Sequence, residues 1–173
     1  GLSRLVEKSL VAPAEARSSS ARLQLLETLR QYGRDRLREH AEEDSRLDGL
    51  LAWAMTHVEG LERDLRTPRM DAALAAVMPE RVNMRAAMEW ALERGDLVTA
   101  LRLVTTVPLG LTTERRALIE DLLARSGPQV PVDVAARAQL TLGDLAFEQG
   151  DGIAAAEAAA AARVGFVQLG DRH

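Results

Sequence analysis

A chain of 173 residues is long enough to bury one domain core, or to hold a small module joined to a larger one. Hydrophobic residues make up 47% and aromatic ones only 3%, so the core has to come from Leu, Ala, Val and Met, a mixture that favours helices over sheets. The net charge of −4 argues against a phosphate-neutralising surface over the whole molecule, and the absence of cysteine excludes disulfides and thiolate metal sites and makes a cytoplasmic location the simplest reading.

The sequence opens at Gly1 inside what reads as a structured segment, without an initiator Met or a signal-peptide pattern, which predicts a fragment of a larger protein. Leu2, Leu5 and Val6 share one helical face, and Ser9-Leu10-Val11 then leads into Ala, Pro, Glu and three serines (Ser18 to Ser20) before Arg22-Leu23-Gln24-Leu25. A short helix, a strand, a polar loop and a returning strand fit this order, the shape of a wing in a winged-helix domain; a frayed linker between two helices is the competing reading. Leu25, Leu29 and Tyr32 then mark a helix with a charged outer face that ends near His40.

From Glu42 to Leu65 the pattern is clearest. Leu47, Leu51, Ala54, Val58, Leu61 and Leu65 follow steps of four and three and predict one face of a long amphipathic helix. Thr67-Pro68 supplies a capping residue and a first-turn proline for a short helix through Val77, and Pro79 falls in the first turn of the next. The longest apolar stretch, Leu97 to Leu111, is broken by Arg102, three threonines and Pro108 and falls short of the roughly 20 residues needed to span a bilayer, so no membrane is expected as a partner.

Two later breaks share one form. Leu92-Glu93-Arg94-Gly95-Asp96 and Phe147-Glu148-Gln149-Gly150-Asp151 each place Gly where a helix ends in a left-handed residue, then Asp where the next is capped. Both read as helical hairpins, with Ala100 and Ala155 small enough for close crossing. A weaker break at Gly110, followed by Thr112-Thr113-Glu114, starts a helix to about Arg125 that Ser126-Gly127-Pro128 ends. Three helical pairs from about residue 80 reach the usual minimum for a stacked array, with the helix at 42–65 as a candidate N-terminal cap.

Leu142-Gly143, Ala146, Gly150, Ala155 and Ala162 resemble the tetratricopeptide spacing of small and apolar residues, though Ala146 and Ala159 stand where an aromatic is usual. The hairpin at 82–107 keeps Ala87, Ala91, Gly95 and Ala100. Whole phrases carry a second resemblance: Leu2-Ser3-Arg4-Leu5-Val6-Glu7-Lys8-Ser9-Leu10-Val11, then Leu23-Gln24-Leu25-Leu26-Glu27-Thr28-Leu29-Arg30-Gln31-Tyr32-Gly33, then Asn83-Met84-Arg85-Ala86-Ala87-Met88-Glu89-Trp90-Ala91-Leu92-Glu93-Arg94-Gly95-Asp96. In this order they are similar to segments of large actinobacterial STAND-class signal-transducing ATPases, the LuxR-family and AfsR-like transcriptional regulators. The stretch from Val107 to Thr113 departs from that family, which commonly has aromatics there.

The resemblance implies an all-α fold, an α-α superhelix of tetratricopeptide-like hairpins preceded by the β-hairpin wing remnant of a winged-helix domain. Residues 1–40 would be the C-terminal part of that winged helix with its connecting helix, and 41–173 an incomplete helical-repeat domain. The implied function is that of a non-catalytic sensor and protein-interaction segment whose partner is the ATPase module of the same chain or a signalling protein. A free-standing tetratricopeptide adaptor is the alternative reading. A DNA-binding winged-helix module acting through Arg17 and Arg22 is a further one, but no direct nucleic-acid binding is expected of a remnant.

Residues that carry chemistry are sparse. The sole lysine, Lys8, has no glycine-rich turn before it, so no phosphate loop exists and no cofactor is expected; the ATPase would lie upstream. His40, His57 and His173 lack metal-site spacing, and Glu42-Glu43-Asp44 with Asp48-Gly49 lacks the alternating ligands of a calcium loop. Glu59, Glu62 and Asp64 beside Arg63 and Arg66 read as local charge pairs on a helix, and Trp53 and Trp90 as core or inter-helix residues rather than recognition anchors. No catalytic constellation is expected. If the hairpins stack as tetratricopeptides do, the resemblance puts Val82, Arg85, Glu89 and Leu92 of one repeat and Asp144 and Phe147 of another on the partner-binding groove; positions facing only solvent or the preceding helix are the alternative.

Overall fold

Helices dominate the chain, as its composition predicts. A computed structural model describes residues 2–13, 23–64 and 67–170, which divide into two compact units, 1–46 and 47–173. In the first unit α1 (Leu2–Glu7) precedes β1 (Val11–Pro13), which pairs antiparallel with β2 (Leu23–Leu25) in a register that sets Val11 opposite Leu25. Helix α2 (Glu27–Glu39) follows and buries no residue. Only Val11 is buried among the residues described here, while Leu5, Val6, Leu23, Leu25, Leu26 and Tyr32 are exposed. Ser18 to Ser20 lie outside the described residues.

The second unit holds the core. Helix α3 (Glu43–Asp64) begins in the first unit and buries Ala54, Val58 and Leu61 along the predicted face; Leu65, the last residue of that series, lies outside the described residues. Helix α4 (Met70–Val77) starts later than Thr67-Pro68 suggests. The Thr67 hydroxyl donates back to the Asp64 carbonyl at 2.9 Å and accepts from the Arg69 amide at 3.2 Å, so it closes a turn instead of capping the helix. Pro79 sits in a 3-10 turn, Met78–Glu80, that runs into α5 (Arg81–Glu93).

Helix α6 (Leu97–Thr106) is the centre of this core. Ala100, Leu101, Leu103, Val104, Thr105 and Thr106 are all buried, so the stretch that scans as the most apolar in the chain is a core helix covered on nearly every side. Among the described residues no helix is long and apolar enough to cross a membrane. Helix α7 (Thr112–Ser126) packs Ile119 and Leu122 against it, and α8 (Val132–Glu148) adds Val134, Ala138, Leu142 and Leu145.

Helix α9 (Gly152–Gln168) lies closely against α8. A Cβ added to Gly143 would stand 3.4 Å from the Ala155 carbonyl oxygen, and one added to Gly165 only 2.7 Å from the Ala136 Cβ. The buried alanine at 146, where the tetratricopeptide pattern has an aromatic, suits this close approach, whereas Ala159 is exposed.

The two Gly-Asp turns have the same geometry. Gly95 and Gly150 take φ of +73° and +77°, a region costly for residues with a Cβ. The Gly95 amide donates to Leu92 and the Asp96 amide to Ala91; correspondingly the Gly150 amide donates to Phe147 and the Asp151 amide to Ala146. Asp96 and Asp151 then each accept a hydrogen bond of 3.1 Å, from the Thr99 and Ala154 amides, capping α6 and α9. Two further turns repeat the backbone pattern without glycine: Ser9 and Ala41, both at φ +55°, donate to Val6 and Arg38, and the Leu10 and Glu42 amides donate to Leu5 at 2.9 Å and to Leu37 at 2.8 Å.

Candidate functional site

Helix α5 presents Val82, Arg85, Glu89 and Leu92 at intervals of three, four and three, so they fall along one side of the helix. Val82, Arg85 and Glu89 are exposed; Leu92 is half-buried and packs against the core. At the N-terminal end of this face a cleft of about 350 Å³ opens, lined by Arg81, Val82, Arg85, Leu109, Gly110, Leu111 and Glu114. Leu109 is buried, whereas Val82 and Leu111 are 59% and 69% exposed.

Local sequence explains the cleft's far wall. Val107 leaves the helical conformation ahead of Pro108, and Gly110 turns at φ +85°. A Cβ there would also lie 3.2 Å from Arg85 Nη2 and 3.4 Å from Glu114 Oε2, so the tips of these two side chains would have to give slightly. Helix α7 begins behind it with Leu111 at the capping position, whose side chain cannot accept a hydrogen bond. Only Glu114 reaches back, with Oε2 3.5 Å from the Leu111 amide.

Asp144 and Phe147 stand elsewhere, in a second cluster on α8. Phe147 is 77% exposed, and Asp144 shares its surroundings with Arg115 of α7 and Glu148. Partial burial, followed by the charge of Glu148, raises the Asp144 carboxyl above its usual range, although Arg115 works the other way. Arg115 is itself lowered by burial. Its guanidinium donates to the Val104 carbonyl at 2.8 Å and to the Thr105 carbonyl at 3.0 Å, satisfying the last carbonyls of α6 where the helix dipole favours a cation. Beside this cluster, Arg116 ties α7 to the last hairpin through Asp151 at 3.0 Å and Gln149 at 2.8 Å.

Several residues singled out in the sequence have structural partners. The Trp90 indole donates to Asp48 Oδ1 at 2.9 Å while Arg94 lies 5.5 Å from its ring centre, so Trp90 joins α5 to α3. Trp53 is half-buried against the core and stacks on His57, whose Nδ1 is 2.9 Å from the Trp53 carbonyl oxygen. His40 is exposed at the end of α2, and His173 lies outside the described residues.

Glu43 pairs with Arg38 at 2.7 Å and Glu42 with Arg46 at 3.0 Å. Glu62 has partners beyond its own helix. Among the described residues it takes Arg102 of α6 at 2.9 Å and lies 3.6 Å from Arg137 of α8, because its position on α3 faces those helices. Arg66, Arg17 and Arg22 lie outside the described residues. Among the described residues no group of three or more His, Asp or Glu side chains is placed to hold a metal ion.

No family model, curated protein or solved structure matches the chain.

Arg81, Leu109, Gly110, Leu111 and Glu114 are not among the groove positions that the sequence predicts, although Gly110 and Glu114 mark a helix boundary there. Arg81 could have been found one turn before Arg85, and a glycine flanked by two leucines ahead of a helix start was a usable signal for the opposite wall. Their meeting across nearly thirty positions had no local signature.

Proposed function

We propose that the chain is a non-catalytic sensor and protein-interaction segment of a cytoplasmic, multidomain signal-transducing ATPase that regulates transcription. The strand pair and α2 of residues 1–40 are then the wing remnant and connecting helix of a winged-helix domain. Residues 41–173 are a tetratricopeptide-like superhelical array that holds the ATPase module in check or receives its signal. The observation that carries this reading is the repeated turn at Gly95-Asp96 and Gly150-Asp151, with the same backbone hydrogen bonds and the same aspartate cap in both. It falls at the hairpin turns that the resemblance assigns to repeats.

The exposure of Leu5, Val6, Leu23, Leu25 and Leu26 among the described residues of the first unit also supports the reading, since a wing and one helix bury little apolar surface without the rest of a winged-helix domain. Contact with partners is assigned to the exposed face of α5 and to the Asp144 and Phe147 cluster.

The coding sequence upstream of Gly1 tests the proposal, together with co-purification of this chain with the ATPase module encoded there. A phosphate loop upstream and a stable complex are expected. An upstream frame without a phosphate loop overturns the regulator reading and leaves a free-standing adaptor, which the self-contained core of residues 47–173 would suit.

A further inference from the structure

The cleft beside α5 has a charge pattern of its own. Most arginines of α2, α3 and α6 to α8 are engaged: Arg30, Arg46, Arg102, Arg116 and Arg125 all have carboxylate partners at 2.9 or 3.0 Å. Among the described residues Arg81 and Arg85 have no ion-pair or hydrogen-bond partner, although they stand one helical turn apart, where like charges repel. This occurs in a chain of net charge −4, with acidic side chains in surplus elsewhere. Glu114 at the far rim is the one carboxylate lining the cleft, so its lining carries a net positive charge. Between the charges lie the exposed side chains of Val82 and Leu111, with Leu109 buried beneath.

We propose that this cleft, between the start of α5 and the α6–α7 link, binds an extended protein segment in which an acidic side chain neighbours a branched apolar one. The acidic group pairs with Arg81 and Arg85, and the apolar one covers Val82 and Leu111. The cleft's volume of about 350 Å³ accepts a few side chains, not a folded domain. Small-molecule sites enclose most of their ligand, whereas the two apolar walls here are largely open, as suits a chain lying across them. Fork-shaped guanidinium groups favour a carboxylate over a neutral amide. The proposal rests on the reading of the chain as an interaction segment and specifies what that segment recognises.

Random heptapeptide display against the purified 173-residue chain tests it, with parallel selections on R81E/R85E and on L111S. Arg81, Arg85 and Leu111 are exposed, so all variants should fold, and circular dichroism verifies this. Expected is enrichment of peptides with Asp or Glu within two positions of Leu, Ile or Val. The best synthetic peptide should bind R81E/R85E about fivefold or more weakly than the intact chain, with affinity falling as salt is raised. Enriched peptides lacking an acidic residue, equal affinity for the intact chain and R81E/R85E, or no enrichment over that variant overturns the proposal. Uncharged peptides that still lose binding in L111S would overturn it while leaving the interaction reading in place.

Discussion

The Glu62 carboxylate on α3 receives the Arg102 guanidinium of α6 at 2.9 Å. Thr106 and Arg137 approach the same carboxylate at 3.4 and 3.6 Å, so one acidic group holds three helices where all the charged partners are half-buried. Glu62→Ala leaves two arginines facing each other without a counter-charge and should cost about 1.5–3 kcal/mol, a charge-assisted hydrogen bond's worth or more. Urea unfolding of the chain measures it. A loss under half a kcal/mol would show that the cluster is solvated.

Turns of one common geometry carry glycine at positions 95 and 150 but residues with a Cβ at positions 9 and 41. Gly95→Ala and Gly150→Ala should each destabilise by about 1 kcal/mol, since a Cβ has to enter the φ > 0 region. Ala41→Gly should leave stability unchanged or raise it, because alanine already bears that strain at φ +55°. Thermal unfolding of the three variants checks the opposite signs.

The α8–α9 crossing is limited by Gly165, where an added Cβ would meet the Ala136 Cβ at 2.7 Å. Gly165→Ala should therefore destabilise by about 1–3 kcal/mol despite alanine's better helix propensity. Ala136→Gly in the same chain should recover part of the loss. Additive losses in the double variant would rule out steric contact as the cause.

Two aspartates should give stability pH dependences of opposite sign. Asp151 lies below its usual range because it accepts from the Ala154 amide, and then because of Arg116, so its contribution is present above the ordinary carboxylate value and is lost as pH falls through the depressed one. Asp144 lies above its usual range, so the folded chain holds its proton longer; its contribution is greatest at low pH and is lost as pH rises through the raised value. Asp151→Asn should flatten the acid limb of a stability-pH profile. Asp144→Asn should remove the decline that runs from the ordinary carboxylate value up to the raised one.

Helix positions were largely legible, because Ala54, Val58 and Leu61 recur with helical period and Gly-Asp pairs mark turns. The turn at Ala41 was not, since nothing local to an alanine announces a positive φ. Glu62 looked like a member of a surface charge run because its partners lie 40 and more positions away. The groove positions were taken from one helix of each hairpin, and the structure joins Val82 and Arg85 to the α6–α7 link, a segment without repeat periodicity. Asp144 instead faces Arg115, whose role at the end of α6 depends on how α7 crosses it, and Phe147 stays largely exposed.

The most direct measurement is ATP hydrolysis by the full-length gene product, intact and with residues 47–173 removed. If the array regulates an ATPase in the same chain, both forms should hydrolyse ATP, with rates differing by about fivefold or more, the scale of an ordinary coupling between sites. Absence of hydrolysis, or identical rates in the two forms, would contradict it.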